Sequence, residues 1–387
     1  MNSLIQTTEE LNALCDRLSR FPYVTVDTEF IREKTYWPQL CLIQIASRDE
    51  AVCIDPLAKD LDMTAFFALL QNESVVKVFH AAHQDIEIFY HMSREIPKPL
   101  FDTQIAAMVC GFGESVSYQN LVKKLLDRDL DKSMRFTDWS QRPLTEKQVL
   151  YALADVTHLR DVYEKMTEIL AENGRASWLD DDARRLKQPS TYEIDSRDAW
   201  KRLKLNTTKP LCLALCRELA AFREDEAKRL NRPRKHIMRD EVLLEIATNI
   251  PTSVNELAAL RGIPEGFAKG RMGRLILDVI KNVKAADPET YPKAEKPFEV
   301  PRHARAVAKM LKLLLMIQAA DNDVAERMIA GFDDLDKFAV SSPDSSPLLK
   351  GWRYEVFGKA ALELKQGKIG FVYNPKKCKI DIVKIKE

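Results

Sequence analysis

Apolar residues early in the chain gather into short strand-like runs, and later into longer helical ones. Residues 23–30 (YVTVDTEF) are rich in β-branched and aromatic side chains and predict a strand. Residues 39–46 (QLCLIQIA) and 51–54 (AVCI) flank a polar Ser-Arg-Asp-Glu turn and predict a hairpin. Residues 75–79 (VVKVF) predict a short buried strand, and 63–70 have helical periodicity. Beyond Phe79 the pattern predicts helices over 82–92, 103–111, 117–126 and 145–172. Thr145, with Gln148 three residues later, resembles a capping box opening the last of these. A mixed sheet followed by helices is an α/β layer architecture, placed at residues 1–190.

The rest of the chain predicts helices. Residues 191–206 read as a linker within a polar, broken stretch. Helical patterns at 210–222, 241–249, 254–259 and 267–283, with no strand between them, predict a small bundle over 207–287. Pro288, Pro292, Pro297 and Pro301 mark a second boundary over 288–301. A third helical segment covers 302–370, and the basic tail 371–387 adds a short strand at 379–385. DEVLLEIATNIP (240–251) aligns with FDDLDKFAVSSP (332–343), and Leu260-Arg261-Gly262 with Leu349-Lys350-Gly351. That likeness suggests a duplicated domain whose second copy has diverged.

Composition narrows the class. The 387 residues suggest two or three domains. Hydrophobic residues at 45% and charged residues at 30% describe a soluble globular protein, and exclude disorder. No apolar run approaches the ~20 residues of a membrane span. The start, MNSLIQTTEELNAL, is acidic and lacks an apolar signal core, so a cytoplasmic protein is expected. The seven cysteines are scattered and mostly set among aliphatic residues, which reads as buried thiols; Cys212 and Cys216 read as core rather than as zinc ligands. The net charge of +1 hides an asymmetry. Residues 1–200 hold 23 Lys and Arg against 33 Asp and Glu; residues 201–387 hold 36 against 25. Clustered carboxylates hold metal cations and a basic partner holds a polyanion, although two differently solvated faces give the same numbers.

Three short stretches carry candidate chemistry. Asp27 and Glu29, at i and i+2 of a strand, share one face. Bare, they repel and raise each other's pKa; a divalent cation removes that cost. Alone, the pair is equally a solvated strand end. Tyr151 and Asp155 lie one helical turn apart on one face, which in isolation is a tyrosine packed beside a surface acid. Asp85 follows His80-Ala81-Ala82-His83-Gln84 near a helix start, where a carboxylate also complements the helix dipole. No cysteine or third histidine joins His80 and His83 in a zinc pattern. Together, Asp27, Glu29, Asp85 and Asp155 balance two divalent ions, and all-oxygen ligation selects Mg²⁺ or Mn²⁺. Two such ions about 3.5–4 Å apart suit in-line phosphoryl displacement, the chemistry of nucleases.

VDTEF, HAAHQD and YALAD, in this order, resemble the three motifs of the DEDD exonuclease superfamily, in its tyrosine-bearing subgroup. With YWPQLCLIQIA (36–46), FDTQIAA (101–107) and LDKSMRFTDWSQRPLTEKQVLYALADV (130–156), the chain is similar to the bacterial ribonuclease D family. The helical segments resemble the HRDC domain shared with RecQ-type helicases. The resemblance implies a ribonuclease H-like exonuclease domain followed by two all-α HRDC domains. It further implies a 3′→5′ exoribonuclease that releases 5′-mononucleotides and trims 3′ extensions of precursor tRNA and other stable RNAs. The four carboxylates would hold two metals, with Asp85 acting partly through water. Glu29 would sit near the terminal 3′-hydroxyl, and Tyr151 would orient the attacking water. Because a phenol with pKa near ~10 is a poor base at neutral pH, positioning is the role read for Tyr151.

Further RNA contacts are expected at Gln44, Lys132, Arg135 and Trp139, and in the basic half at Arg232, Arg234, Lys235, Lys269 and Arg271. Gln44 equally pairs with the sheet, Trp139 equally anchors its loop, and the basic run equally forms a solvated face. Asp102 reads as a helix N-cap. The expected partner is RNA with a single-stranded 3′ end, met by a monomer away from membranes. Two rivals remain at this point: a 3′→5′ DNA exonuclease, and a binding module with a vestigial site.

Overall fold

The computed structural model describes residues 3–131, 133–135, 137–193, 195–294, 298–341 and 344–385. The chain divides into two units. One comprises Met1–Glu29, Cys41–Gln188 and Phe298–Glu387; the other comprises Phe30–Leu40 and Pro189–Pro297.

The amino-terminal part runs β1 (Leu4–Ile5), α1 (Thr8–Leu18), β2 (Tyr23–Ile31), β3 (Gln39–Ala46), β4 (Ala51–Ile54) and α2 (Thr64–Gln71). It continues with β5 (Val76–Phe79), α3 (His83–Ser93), β6 (Leu100–Asp102), α4 (Thr103–Val109), α5 (Tyr118–Leu126), α6 (Glu146–Glu172) and α7 (Asp180–Leu186). The six strands form one sheet in the order β1-β4-β3-β2-β5-β6. β3 and β4 pair antiparallel, whereas β1 with β4, β2 with β5 and β5 with β6 pair parallel, so the sheet is mixed as expected. Every residue of β3 after Gln39 is buried, which is why QLCLIQIA is almost continuously apolar. α6 opens on the Thr145–Gln148 capping box, with both reciprocal bonds made. Sequence periodicity misses β1 and β6, of two and three residues, because so short a run carries no repeat. It also misses α1, whose N-cap is Thr7.

The second unit is built from α8 (Pro210–Leu230), α9 (Arg234–Ile237), α10 (Asp240–Asn249), α11 (Val254–Ala258), α12 (Glu265–Lys269) and α13 (Arg271–Ala285). Its core includes Leu215, Cys216, Leu219, Leu243, Ile246, Leu257, Ile276 and Ile280. Cys212 and Cys216 are buried free thiols, as the sequence suggests. The helix expected over 267–283 is instead two helices that fold back at Gly270. Gly273 permits that: a Cβ there would lie 1.9 Å from the Ala268 carbonyl oxygen. The segment 30–40 is also seated in this unit. Tyr36 is buried, its hydroxyl hydrogen-bonds Glu224, and the Arg234 guanidinium lies 4.9 Å from its ring centroid. Asn231 Oδ1 accepts from the backbone N–H groups of Tyr36 and Trp37, each at 3.1 Å.

The carboxy-terminal residues return to the first unit as α14 (Arg305–Asp321), α15 (Glu326–Ile329), α16 (Phe332–Val340), α17 (Gly351–Arg353), α18 (Lys359–Lys365), β7 (Ile369–Asn374) and β8 (Lys379–Lys384). They share a core with the amino-terminal helices: Leu311, Leu314, Met328 and Phe338 cluster with Met108, Val109, Leu121, Val162 and Met166. Trp178 and Trp352 stack at 4.2 Å, with Arg175 over the first ring and Arg353 over the second. Gly111 sits at φ +78°, where a Cβ would lie 2.8 Å from the Asp323 carbonyl oxygen. The strand expected in the tail appears as β8, but it pairs antiparallel with β7, a strand the sequence pattern does not predict, which straddles the boundary between the helical segment and the basic tail.

Candidate active site

The register of β2 on β5, Thr25 opposite Val78, brings the carboxyl ends of two parallel strands out together. Asp27 and Glu29 lie just beyond that pairing on β2. The chain leaving β5 turns at His80–Ala82 and enters α3, whose first turn carries Asp85. The turn is held by Asp102. Its carboxylate accepts from Ala81 N (3.1 Å), Ala82 N (2.9 Å) and Gln104 N (2.8 Å), while the Thr103 hydroxyl donates to the Phe79 carbonyl at 3.1 Å. Asp102 therefore caps α4, as expected, and also fixes the left-handed Ala81, at φ +57°.

α6 supplies Tyr151 and Asp155. Two hydroxyls pin it at that point: Thr25 Oγ1 donates to the Val156 carbonyl at 2.8 Å, and the Tyr118 hydroxyl donates to the Asp155 carbonyl. Asp27, Tyr151 and Asp155 line one cavity of about 370 Å³ with His80, Tyr118, Arg135 and neighbouring residues. The Asp85 carboxylate accepts from the Thr28 hydroxyl and is buried. Sequence marks neither Tyr118 nor His80 as a site residue: no motif singles out a phenol at a helix start, and the spacing of His80 and His83 raises only a zinc pattern that nothing completes.

Electrostatics tie the carboxylates together. Burial pushes Asp27 up to about 6. Burial, then the charge of Asp27, pushes Asp155 up to about 8. Glu29 rises to about 9 through burial and then the charges of Asp27, Asp155 and Asp85. Asp85 rises through burial and the charge of Asp27, against the Thr28 hydrogen bond. Tyr151 is pushed up to about 12 by burial and by Asp155, Glu29 and Asp27, with Arg135 opposing. Asp27, whose charge opposes ionisation of Asp155, Glu29 and Asp85, centres a donor set of hard oxygens suited to divalent cations. As they stand, no three His, Cys, Asp or Glu side chains among the described residues are gathered to hold an ion.

The expected RNA contacts divide. Arg135 is exposed on the cavity wall. Gln44 is a correction: it is wholly buried in β3, its side-chain amide has no hydrogen-bond partner among the described residues, and it faces no substrate. Trp139 is another: it is 3% exposed and packs near Tyr151, with ring centroids 6.1 Å apart, so it anchors its loop. That loop is pinned by Arg142, which grips Asp55 at 2.6 and 2.9 Å and the Cys41 and Trp139 carbonyls. Lys132 lies outside the described residues. Arg234 is committed to buried Glu224 and Tyr36, and so is structural. Arg271 pairs with Glu226 and Lys269 with Glu265, both cations remaining more than half exposed. Arg232 and Lys235 are exposed.

Fold and site define a class. A family model described as a 3′-5′ exonuclease matches residues 2–171, and one for the HRDC domain matches residues 213–280. The chain is 46% identical to the ribonuclease D of Gluconacetobacter diazotrophicus over 95% of its own length and 93% of that protein's. It is 45% identical to that of Bartonella henselae over 96% and 92%. The crystal structure of Escherichia coli RNase D superposes with a TM-score of 0.80 at 29% identity, covering 95% of this chain and 99% of that one. The chain belongs to the ribonuclease D family and is a hydrolytic 3′→5′ exoribonuclease. Dependence on divalent metal is general to the family. Among the described residues no helix is long and apolar enough to cross a membrane.

Proposed function

We propose that this exoribonuclease works with two divalent cations, Mg²⁺ or Mn²⁺, held by Asp27, Glu29, Asp85 and Asp155. The observation that carries this is geometric: Asp27 and Asp155 line one cavity with Tyr151, and Thr28, between Asp27 and Glu29, hydrogen-bonds the Asp85 carboxylate. When bound, such cations lower the pKa of a water and offset charge on the phosphate. The chain's own part is positional. The Tyr151 hydroxyl, protonated at neutral pH, holds the attacking water. Glu29 receives the terminal 3′-hydroxyl, and Arg135, on the cavity wall, meets the phosphate. The water oxygen bonds to phosphorus and the P–O3′ bond of the last linkage breaks. A nucleoside 5′-monophosphate leaves, and the shortened RNA keeps a new 3′-hydroxyl.

The substrates are 3′ extensions of precursor tRNA and other stable RNAs, entered from a single-stranded 3′ end by a cytoplasmic monomer. The E. coli relative, described as an exoribonuclease involved in structured RNA processing, supports that class. The HRDC domain supplies an auxiliary RNA surface through Arg232, Lys235, Lys269 and Arg271. Residues 302–370 are a diverged second copy. Supporting this, a long helix, a one-turn helix and a nine- or ten-residue helix follow in the same order in both, as α8–α10 and α14–α16. Gly262 and Gly351, aligned by sequence, both have positive φ.

The test is a 5′-labelled precursor with a 3′ extension and its DNA counterpart, incubated with Mg²⁺, Mn²⁺ or EDTA. The expected result is a ladder shortening from the 3′ end of RNA, absent in EDTA. Asp27→Asn should lower the rate by roughly 10³-fold or more, while RNA binding in EDTA stays at the wild-type level. Equal degradation of DNA, or an active Asp27→Asn, would sink the reading.

A further inference from the structure

β7 and β8 form a two-stranded sheet separate from the six-stranded one. Phe371 pairs with Ile382, and Tyr373 with Ile380, and directly paired residues share a face. At one end this face is anchored: Ile369 is buried, and Phe371 and Ile382 pack on the core lined by α14 and α18. Toward the turn the anchoring stops. Tyr373 is 62% exposed and Val372, on the other face, 52%. The connecting residues, Pro375 to Cys378, and Lys379 at the start of β8 are all exposed. Six lysines between residues 365 and 385 stand against one acid, Asp381. That acid's carboxylate accepts from Asn374 Nδ2 at 2.8 Å and is turned into the sheet's own bonding.

We infer that the tip of this hairpin docks single-stranded RNA, with Lys376, Lys377 and Lys379 on phosphates and Tyr373 stacked on a base. The occupant must be a polyanion to answer the lysines, and must have exposed flat apolar faces to answer Tyr373. A duplex offers the first but hides the second inside its base stack. A second protein adding a strand along β8 would meet Lys379 and Lys384, which oppose such pairing. The chain's own substrate has both features, and the inference rests on its exoribonuclease activity for that choice of ligand. An anionic membrane shares part of this chemistry and is separated by experiment.

The experiment uses the full chain in EDTA, so that docking is read without hydrolysis and fails independently of the active-site reading. The probe is a fluorescent oligoadenylate of about 20 nucleotides, titrated at several salt concentrations. Replacing all three lysines, as Lys376→Gln, Lys377→Gln and Lys379→Gln, should weaken binding about tenfold and flatten the slope of log affinity on log salt by about 2. Tyr373→Ala should weaken binding about fivefold or more without changing the slope, and Tyr373→Phe should restore it. The lysines are exposed, so the triple variant should melt as wild type does; if Tyr373→Ala lowers the melting temperature, the triple variant alone decides. A wild-type slope in the triple variant overturns the proposal. So does unchanged RNA affinity accompanied by lost binding to phosphatidylserine vesicles, or by lost self-association in sedimentation.

Discussion

At the scale of single residues, chemistry and support are separable. Tyr151 stays a hydrogen-bond donor because burial and the surrounding acids push its phenol up to about 12. Tyr151→Phe keeps the ring but loses that donor, and single-turnover kinetics should show the cleavage rate falling about 10–100-fold with RNA affinity unchanged; a fall in affinity alone would assign the hydroxyl to binding. Glu226 is a support residue. Hydrogen bonds from Arg229 and Arg271 hold its carboxyl down at about 2, against 4.5 ordinarily. A depressed carboxyl stabilises the fold above its unfolded pKa and loses that contribution as pH falls through the folded value. Stability measured in urea from pH 5 down to about 2 should therefore decline less steeply in Glu226→Gln than in wild type. Arg234 shows what sequence cannot separate: a basic run looks alike whether a guanidinium meets phosphate or, as here, closes on buried Glu224.

Among elements, the placing of α6 decides whether the site exists. The Thr25 hydroxyl on the Val156 carbonyl joins α6 to β2 inside the core. Thr25→Val should cost about 1–2 kcal/mol in urea unfolding, the worth of one buried hydrogen bond. It should also slow cleavage, since Asp155 is the next residue; wild-type turnover in a destabilised variant would show that the bond serves stability alone. The elements with a repeat were legible: β3, β4 and α6 stand where apolar periodicity and a capping box put them. The five candidate acidic and phenolic residues stood out through the resemblance of VDTEF, HAAHQD and YALAD to family motifs; strand and helix periods put Asp27 with Glu29 and Tyr151 with Asp155 on one face but fit a surface pair equally well. β6 was not legible, being three residues long, and neither was the second duty of Asp102, whose partners on the His80–Ala82 turn come from another part of the chain. Tyr118 reaches the Asp155 carbonyl only through tertiary packing.

For the whole molecule, the carboxy-terminal helices are part of the exonuclease core. Leu314 is wholly buried in the cluster that holds Val162 and Met166 of α6. Leu314→Ala should cost about 2–5 kcal/mol. Hydrogen exchange should show faster exchange of the α6 amides as well as those of α14; faster exchange confined to α14 would mean that the two regions unfold independently.

That shared core has a consequence during synthesis. A ribosome delivers residues 1–188 well before residues 298–387, so the helices that cover Met108, Val109 and Leu121 come later. A nascent chain that already carries every acid of the site still lacks part of its core. Prematurely ended translation products should then be poorly folded and aggregation-prone rather than free nucleases. Chains stalled before and after residue 298 would reveal this as protease resistance acquired only in the longer one. In effect, an enzyme that shortens RNA would gain a stable nuclease fold only once the part of its own message that encodes residues 298–387 has been read.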